Sequence, residues 1–208
     1  MKLGRARSSE RETNPSLHSR RLQLRPLVPA DFAQWQEVRL RNRDWLEKWE
    51  PSRPPGGPDV INDRHALAAR CNARERERHL GTGFGFGVFV DASLCGEMNL
   101  SSVQRGPFQN CYVGYWIDER MAGRGYTPEA LVAVLCFAFE ELRLHRVQIA
   151  IIPRNLPSRR VVEKLDIRNE GVAVKYLEID GEWEDHMRFA VTIEEWRARQ
   201  SELSAEWL

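Results

Sequence analysis

The junction "CYVGYWIDERMAGRGYTPEALVAVLCFAFEELRL", residues 111–144, constrains this chain more than any other stretch. An apolar, aromatic strand runs through two glycines into a helix that is apolar on almost every side. Such a helix must be buried, so a sheet has to lie against it, which demands a layered α/β or mixed-sheet α+β domain. Gly123 and Gly125 permit positive φ and let a ligand approach the backbone. Thr127 reads as the N-cap and Pro128 as the first helical residue, with Glu129 complementing the positive end of the helix dipole. If the loop wraps tightly, the amides of Met121 through Tyr126 face outward. Strand, glycine loop and helix N-terminus then make an anion site, most naturally for phosphate.

The flanking sequence supplies the other layers. "RLQLRPL" (21–27) alternates as a half-buried strand, and "FAQWQEVRLRNRDWLEKWE" (32–50) has helical spacing stopped by Pro51. "PSRPPGGPD" reads as a loop, and "VINDRHALAARCNARERERHL" as a second amphipathic helix. "GTGFGFGVFV" and "SLCGEMNLSSV" pair as a hairpin around Asp91-Ala92, followed by the strand "FQNCYVGYWID". After the buried helix come the strand "HRVQIAIIP", the short helix "NLPSRRVVEKLDI", a hairpin turning at Asp180-Gly181, and a closing polar helix. The expected order is β-α-α-β-β-β-α-β-α-β-β, without internal repeats. Trp35, Trp45 and Trp49 read as core aromatics, with a substrate groove as their alternative role.

Composition removes several classes of function. A net charge of +1 with 29% charged residues gives no electrostatic argument for nucleic acid or an anionic membrane as partner. No apolar run approaches the roughly 20 residues of a membrane span. The first 20 residues, basic and polar with no apolar segment, read as a disordered tail rather than a secretory signal, and residues 21–208 as one cytoplasmic domain. Four scattered cysteines and five histidines lack disulfide or metal-ligand spacing, so no metal is expected.

The P-loop pattern is absent, and in "GTGFGFG" Phe86 stands where a dinucleotide loop needs glycine, leaving that segment a strand. What fits is R-x-x-G-x-G from Arg120 to Gly125. It resembles the acetyl-coenzyme A loop of the GNAT acetyltransferase superfamily. "RNRDWLEKWEP", "GYWIDERMAGRGY", "FAFEELRLHRV", "NLPSRRVVEKL" and "NEG…YLEIDGEWEDH" are together similar, in order, to its RimJ/RimL-type protein N-terminal acetyltransferases, from about residue 21 to 193. The resemblance implies a mostly antiparallel twisted sheet of about six or seven strands with a parallel splayed pair, flanked by helices. It implies acetyl-CoA, with the pyrophosphate on the amides of Met121, Ala122, Gly123, Arg124, Gly125 and Tyr126 beside Thr127. The pantetheine would lie along Tyr115, Trp116 and Ile117 and bond Asn155, whose residue-level reading is the N-cap of the next helix. The acceptor would be a protein or peptide N-terminus, such as a ribosomal protein's, for a monomer or homodimer. A small amine, polyamine or antibiotic is the alternative acceptor, and a CoA-binding sensor that has lost catalysis the alternative class.

An α-amine, with a pKa near 7.7–8.0, needs only a modest base. RimI-type relatives place a tyrosine acid seven residues after the motif asparagine and a glutamate base five before it. Those positions are Val162 and Ala150 here, so that pair cannot be transplanted. The RimL-like alternative puts Ser158 at the thiol, its plain reading being a solvated first-turn serine. Glu97, Glu178, Asp185 and His186 are candidate bases, and Asp185-His186 could instead orient the hairpin. Asp166 replaces a glycine that relatives carry at the helix C-cap, where left-handed φ is favoured, and a local change is expected.

Overall fold

The computed structural model describes residues 15–52, 56, 57, 59 and 61–208. Most of the expected tail, residues 1–14, and positions 53–55, 58 and 60 of the proline-rich loop lie outside the described residues. Eight strands form one sheet: β1 (Leu17–His18), β2 (Gln23–Arg25), β3 (Phe84–Val90), β4 (Ser93–Gln104), β5 (Asn110–Ile117), β6 (Arg146–Ile151), β7 (Arg168–Ile179) and β8 (Glu182–Thr192), in the order 1-2-3-4-5-6-8-7. One strand more than expected arises because β1 falls within the stretch read as tail, where two residues are too few to show a period. Every neighbouring pair is antiparallel except β5–β6.

The helices are α1 (Phe32–Arg41), α2 (Arg43–Leu46), α3 (Arg64–Leu80), α4 (Tyr126–Cys136), α5 (Leu156–Lys164) and α6 (Ile193–Trp207). The single helix expected over residues 32–50 breaks at Asn42, whose buried side chain bonds Val38 O and Asp118 and leaves the helix register. Alternation along β4, shifted by one residue at a bulge, divides the core. Cys95, Met98 and Leu100 belong to the cluster with Leu131, Val162 and Trp196 of α4, α5 and α6. Leu94, before the bulge, belongs to the other, with Trp35 and Leu67 of α1 and α3.

Both tight hairpins have positive φ at the two turn residues, Asp91 and Ala92 (47° and 65°) and Asp180 and Gly181 (49° and 82°). This geometry matches the strand twist. After Cys136 the α4 chain widens into a π turn over Phe137–Glu141, seating Phe137 edge-on to Phe84 and Phe86 at 5.2 and 5.7 Å.

What positions the site is the end of the β5–β6 pairing. Its register covers Asn110 to Val113 against Arg146 to Ile149 and then stops, so β5 diverges from β6 over its last four residues.

Candidate active site

The splay opens into a cleft of about 680 Å³. Along β5, the Asp118 N–H donates to Cys95 O at 2.7 Å, which fixes the phase of the β4–β5 ladder. Gly114 and Trp116 therefore turn their peptide groups to β4, while Tyr115 and Ile117 turn theirs toward the gap where β6 has left. Trp45 Nε1 takes the Ile117 carbonyl at 3.1 Å. The Tyr115 peptide group and the Ile117 N–H remain open to the cleft, which both residues line.

At the next wall the chain makes a short turn over Glu119–Met121 and enters α4. Gly123 and Gly125 hold φ of 76° and 81°, the left-handed region that favours glycine. The helix starts two residues earlier than the sequence suggests: Gly125 is the N-cap and Tyr126 the first helical residue. Thr127 and Pro128 are thus the second and third, where a missing proline N–H costs nothing because those donors have no intrahelical partner. No side chain caps this end, so its amides stay available.

Two networks brace that loop. Glu129, in the first turn of α4 as expected and buried there, accepts from Ser19 Oγ (2.7 Å), Arg21 N (2.8 Å) and Arg21 Nε (2.7 Å). Arg21 also donates to Arg124 O at 3.0 Å and lies 4.6 Å over the Tyr126 ring. On the other side, buried Asp118 receives Arg41 and Asn42, and Asn42 Oδ1 accepts the Glu119 N–H at 2.9 Å. Burial would push the Asp118 carboxyl up, but the Arg41 and Asn42 contacts outweigh it and hold it below its ordinary value. Neither brace carries a local sequence signal, because the partners are far apart in the chain.

Of the residues singled out in the sequence, Tyr115, Trp116, Ile117, Met121, Ala122, Gly123, Gly125, Tyr126, Thr127, Asn155 and Ser158 all line the cleft. Arg124 does not; its carbonyl is turned to Arg21. Asn155 caps α5 by accepting the Ser158 N–H at 3.2 Å, leaving its amide nitrogen free to donate. Ser158 Oγ lies 3.0 Å from the Tyr115 hydroxyl, which donates to Ser158 O at 3.1 Å. Burial pushes the Tyr115 phenol up, so it stays neutral throughout the physiological range.

The two expected carboxylates stand elsewhere. Glu97 faces α1 and α3, buried, accepting from Trp35 Nε1 at 2.7 Å and paired with Arg70. Burial alone would raise its carboxyl; the Arg70 charge and the hydrogen bonds outweigh that and lower it. Glu178 is exposed on β7 opposite Trp183 and is not part of the cleft lining. Asp185 Oδ1 accepts the Lys175 N–H at 2.8 Å, and His186 is buried with Nδ1 2.9 Å from Glu184 O, contacts that hold the hairpin. Trp35 is core, whereas Trp45 and Trp49 line the cleft. Glu50, which drew no notice in the sequence, is the one carboxylate among the described lining residues. Arg160 and Lys164 of α5 line the cleft too.

Among the described residues no cluster of three metal-ligating side chains occurs, and no helix is long and apolar enough to cross a membrane. Burial pushes the Cys95 and Cys111 thiols up to about 12, which leaves them unreactive packing groups.

A splayed parallel pair next to a glycine loop at a helix N-terminus defines an acetyltransferase of the GNAT fold. The acetyltransferase (GNAT) domain family matches residues 21–168, and the chain belongs to that family. Among similar proteins, "Probable N-acetyltransferase YjcK" of Bacillus subtilis is 33% identical over 84% of this chain and 96% of its own length. The [ribosomal protein uS5]-alanine N-acetyltransferase of Escherichia coli is 32% identical over 85% and 90%. The structure of Mycobacterium smegmatis RimJ in complex with CoA-disulfide superposes with a TM-score of 0.78 at 28% identity, covering 90% of this chain and 94% of that one.

Proposed function

We propose that this domain, which reaches back beyond residue 21 to include β1, transfers an acetyl group from acetyl-CoA directly to the N-terminal α-amine of a protein, ribosomal-protein-like, in the cytoplasm. The observation that carries the reading is the single cleft joining the unpaired end of β5 to the uncapped N-terminus of α4. The acceptor class is supported by the uS5-alanine acetyltransferase relative.

The residues present suit the donor. The Met121 and Ala122 amides, expected in the sequence to face the ligand, are taken up by Asp118 O and Glu119 O at 2.8 and 3.1 Å. It is therefore the amides of Gly123 to Tyr126, with the cations Arg160 and Lys164, that suit a diphosphate, and both loop glycines already hold positive φ. Thr127 adds a hydroxyl to the same wall. The Tyr115 peptide group and the Asn155 amide suit the amide-bearing pantetheine arm, which would add to β5 like a further strand. Bound acetyl-CoA supplies the activated thioester that the amine attacks. The Ile117 N–H donates to the carbonyl oxygen as charge develops there. The Ser158 hydroxyl, which donates to the Tyr115 hydroxyl at 3.0 Å, turns its one proton from Tyr115 to the departing sulfur.

The test is thiol release with acetyl-CoA against N-terminal peptides, small amines, polyamines and antibiotics. Turnover on α-amine peptides is expected. Turnover confined to small amines overturns the acceptor, and CoA binding without turnover on any amine overturns the activity.

A further inference from the structure

None of the carboxylates read from the sequence as bases, Glu97, Glu178 and Asp185, lines the cleft, whereas Glu50 does. We propose that Glu50 receives the ammonium of the acceptor among Trp45, Trp49 and Trp116 and takes its proton before attack. This rests on the acetyl-transfer reading above and names the group that selects its acceptor.

Four observations converge on it. First, the cleft is bipolar: Arg160 and Lys164 line it from α5, and Glu50 lines it together with the three tryptophans. A ligand pair with an anionic donor and a cationic acceptor matches that polarity.

Second, Glu50 is held in place. Arg39 grips both its oxygens at 2.7 and 2.6 Å, and its carbonyl accepts the Asp180 N–H at 3.1 Å from the β7–β8 turn. Arg39 itself lies 5.8 Å over the Trp35 ring and 5.3 Å over the Trp116 ring. A carboxylate offers about four lone-pair directions, of which this fork uses two. Its side chain is 34% exposed, so the others can be reached.

Third, the aromatic wall already accommodates an ammonium. Lys48 Nζ lies 5.6 Å from the Trp45 ring centre and 5.4 Å from that of Trp49, within cation–π range.

Fourth, the wall adjoins the reacting position, because Trp45 bonds the carbonyl of Ile117 at the open end of β5. The other charges around Glu50 are Arg39 on α1, Arg70 on α3 (paired with Glu97 and also within reach of the Glu50 charge), Lys48 on its own turn, and the Arg154–Glu184 pair, whose guanidinium lies 4.8 Å over Trp49.

The protons balance. The ammonium gives one proton to the Glu50 carboxylate, and the neutral amine attacks the thioester carbonyl. As the C–S bond breaks, the amine's second proton passes to the thiolate, and Glu50 releases its own to solvent.

The experiment uses the full chain saturated with CoA, titrated calorimetrically with an alanine-initiated peptide and with its N-acetylated counterpart. Wild type is expected to bind the free amine at least 10-fold more tightly than the capped peptide. Glu50→Gln should erase that preference while CoA affinity stays constant. Lys48→Glu, at an exposed position that the fold does not need, should strengthen free-amine binding several-fold by removing the competing ammonium and adding a carboxylate. In turnover, kcat/KM of Glu50→Gln at pH 7 should drop about 10-fold and recover toward pH 9, where an amine of pKa 7.7–8.0 is neutral unaided. A wild type that does not discriminate, a Glu50→Gln protein that still does, weakened binding by Lys48→Glu, or parallel pH profiles would each overturn the proposal. Discrimination without thiol release instead overturns the acetyl-transfer reading alone.

Discussion

At the loop end of the cleft the groups offered to a ligand are backbone amides, whereas at the tryptophan end they are side chains of three separate segments. The loop end needs only two residues able to hold positive φ, Gly123 and Gly125, and a helix that starts where they stop. The tryptophan end needs Glu50 positioned by Arg39, Arg39 by two indoles, and the hairpin turn at Asp180 against Glu50. A backbone site is written in consecutive residues, while a side-chain site is written in contacts that exist only after folding. The two ends should therefore respond to different kinds of substitution.

The largest effect concerns a carboxylate that belongs to neither end. Glu97 is buried against Trp35 and the half-buried Arg70, so Glu97→Gln leaves that guanidinium without its counter-charge. A loss of about 3 kcal/mol in urea unfolding is expected, the low end for a broken pair because Arg70 keeps access to water. The carboxyl titrates below its ordinary value of 4.5 when folded. The unfolded chain therefore takes up its proton first as pH falls. The stabilisation is complete above about pH 4.5 and fades as pH drops through the folded value, so the variant's stability should depend less on pH in that acid range. A Glu97→Gln protein of native stability with a raised KM for the acceptor would return Glu97 to the acceptor end.

Next is the loop itself. Gly125 sits at φ 81°, and a Cβ there would lie 3.4 Å from Arg21 Nη2 and 3.6 Å from the Trp207 ring. Gly125→Val forces a β-branched residue into left-handed backbone next to the Arg21 brace. CoA affinity should fall about 100-fold, equivalent to about 2.7 kcal/mol, with far-UV circular dichroism retained. Normal CoA binding by this variant would show that the loop is an ordinary turn.

Asn155 tests where backbone and side-chain roles meet, since it both caps α5 and turns its amide to the cleft. Asn155→Ala should cost about 1 kcal/mol of stability through the lost cap. Asn155→Asp keeps the cap oxygen but not the amide donor. Its unfolding midpoint should stay near wild type while CoA affinity falls about 5–10-fold, as expected for one lost hydrogen bond. Equal CoA affinity in Asn155→Asp would reduce Asn155 to a helix cap.

The same distinction explains what could be read in the sequence. The start of the buried helix, both hairpin turns, the positive φ of the loop glycines and the Asn155 cap depend on local patterns, and each stands within two residues of where those patterns put it, while the helix end falls at least three residues short of Leu144. The α1–α2 break was not, because Asn42 leaves the helix to meet Asp118, 76 residues away. Glu50 was invisible for a similar reason: on its own it is one more charged residue before a proline. Glu97 drew attention because it lies in an apolar strand, yet burial among an arginine and an indole gives it structural work.

The smallest effect probes the position where local grammar itself is broken. Asp166 sits at φ 49° beyond α5, where Asp166 N–H bonds Glu163 O (3.0 Å) and Ile167 N–H bonds Val162 O (2.9 Å). That is the Schellman pattern, whose left-handed residue is ordinarily glycine. The Asp166 side chain is 93% exposed and 4.0 Å from Arg199, so it contributes little to offset the backbone strain. Asp166→Gly should therefore stabilise the protein by roughly 0.5–1 kcal/mol, the relief of left-handed strain less the extra entropy of an unfolded glycine. Acceptor binding should not change, since α5 presents Asn155 and Ser158 from its opposite end, and any change in CoA affinity should stay within about 2-fold, felt only through the flexible Lys164 side chain two residues away. An unchanged or lowered thermal midpoint would mean that aspartate meets this backbone requirement as well as glycine does. A glycine in the sequence would then mark such a position without being needed there, and the loop glycines would owe their identity to the ligand's approach rather than to φ alone.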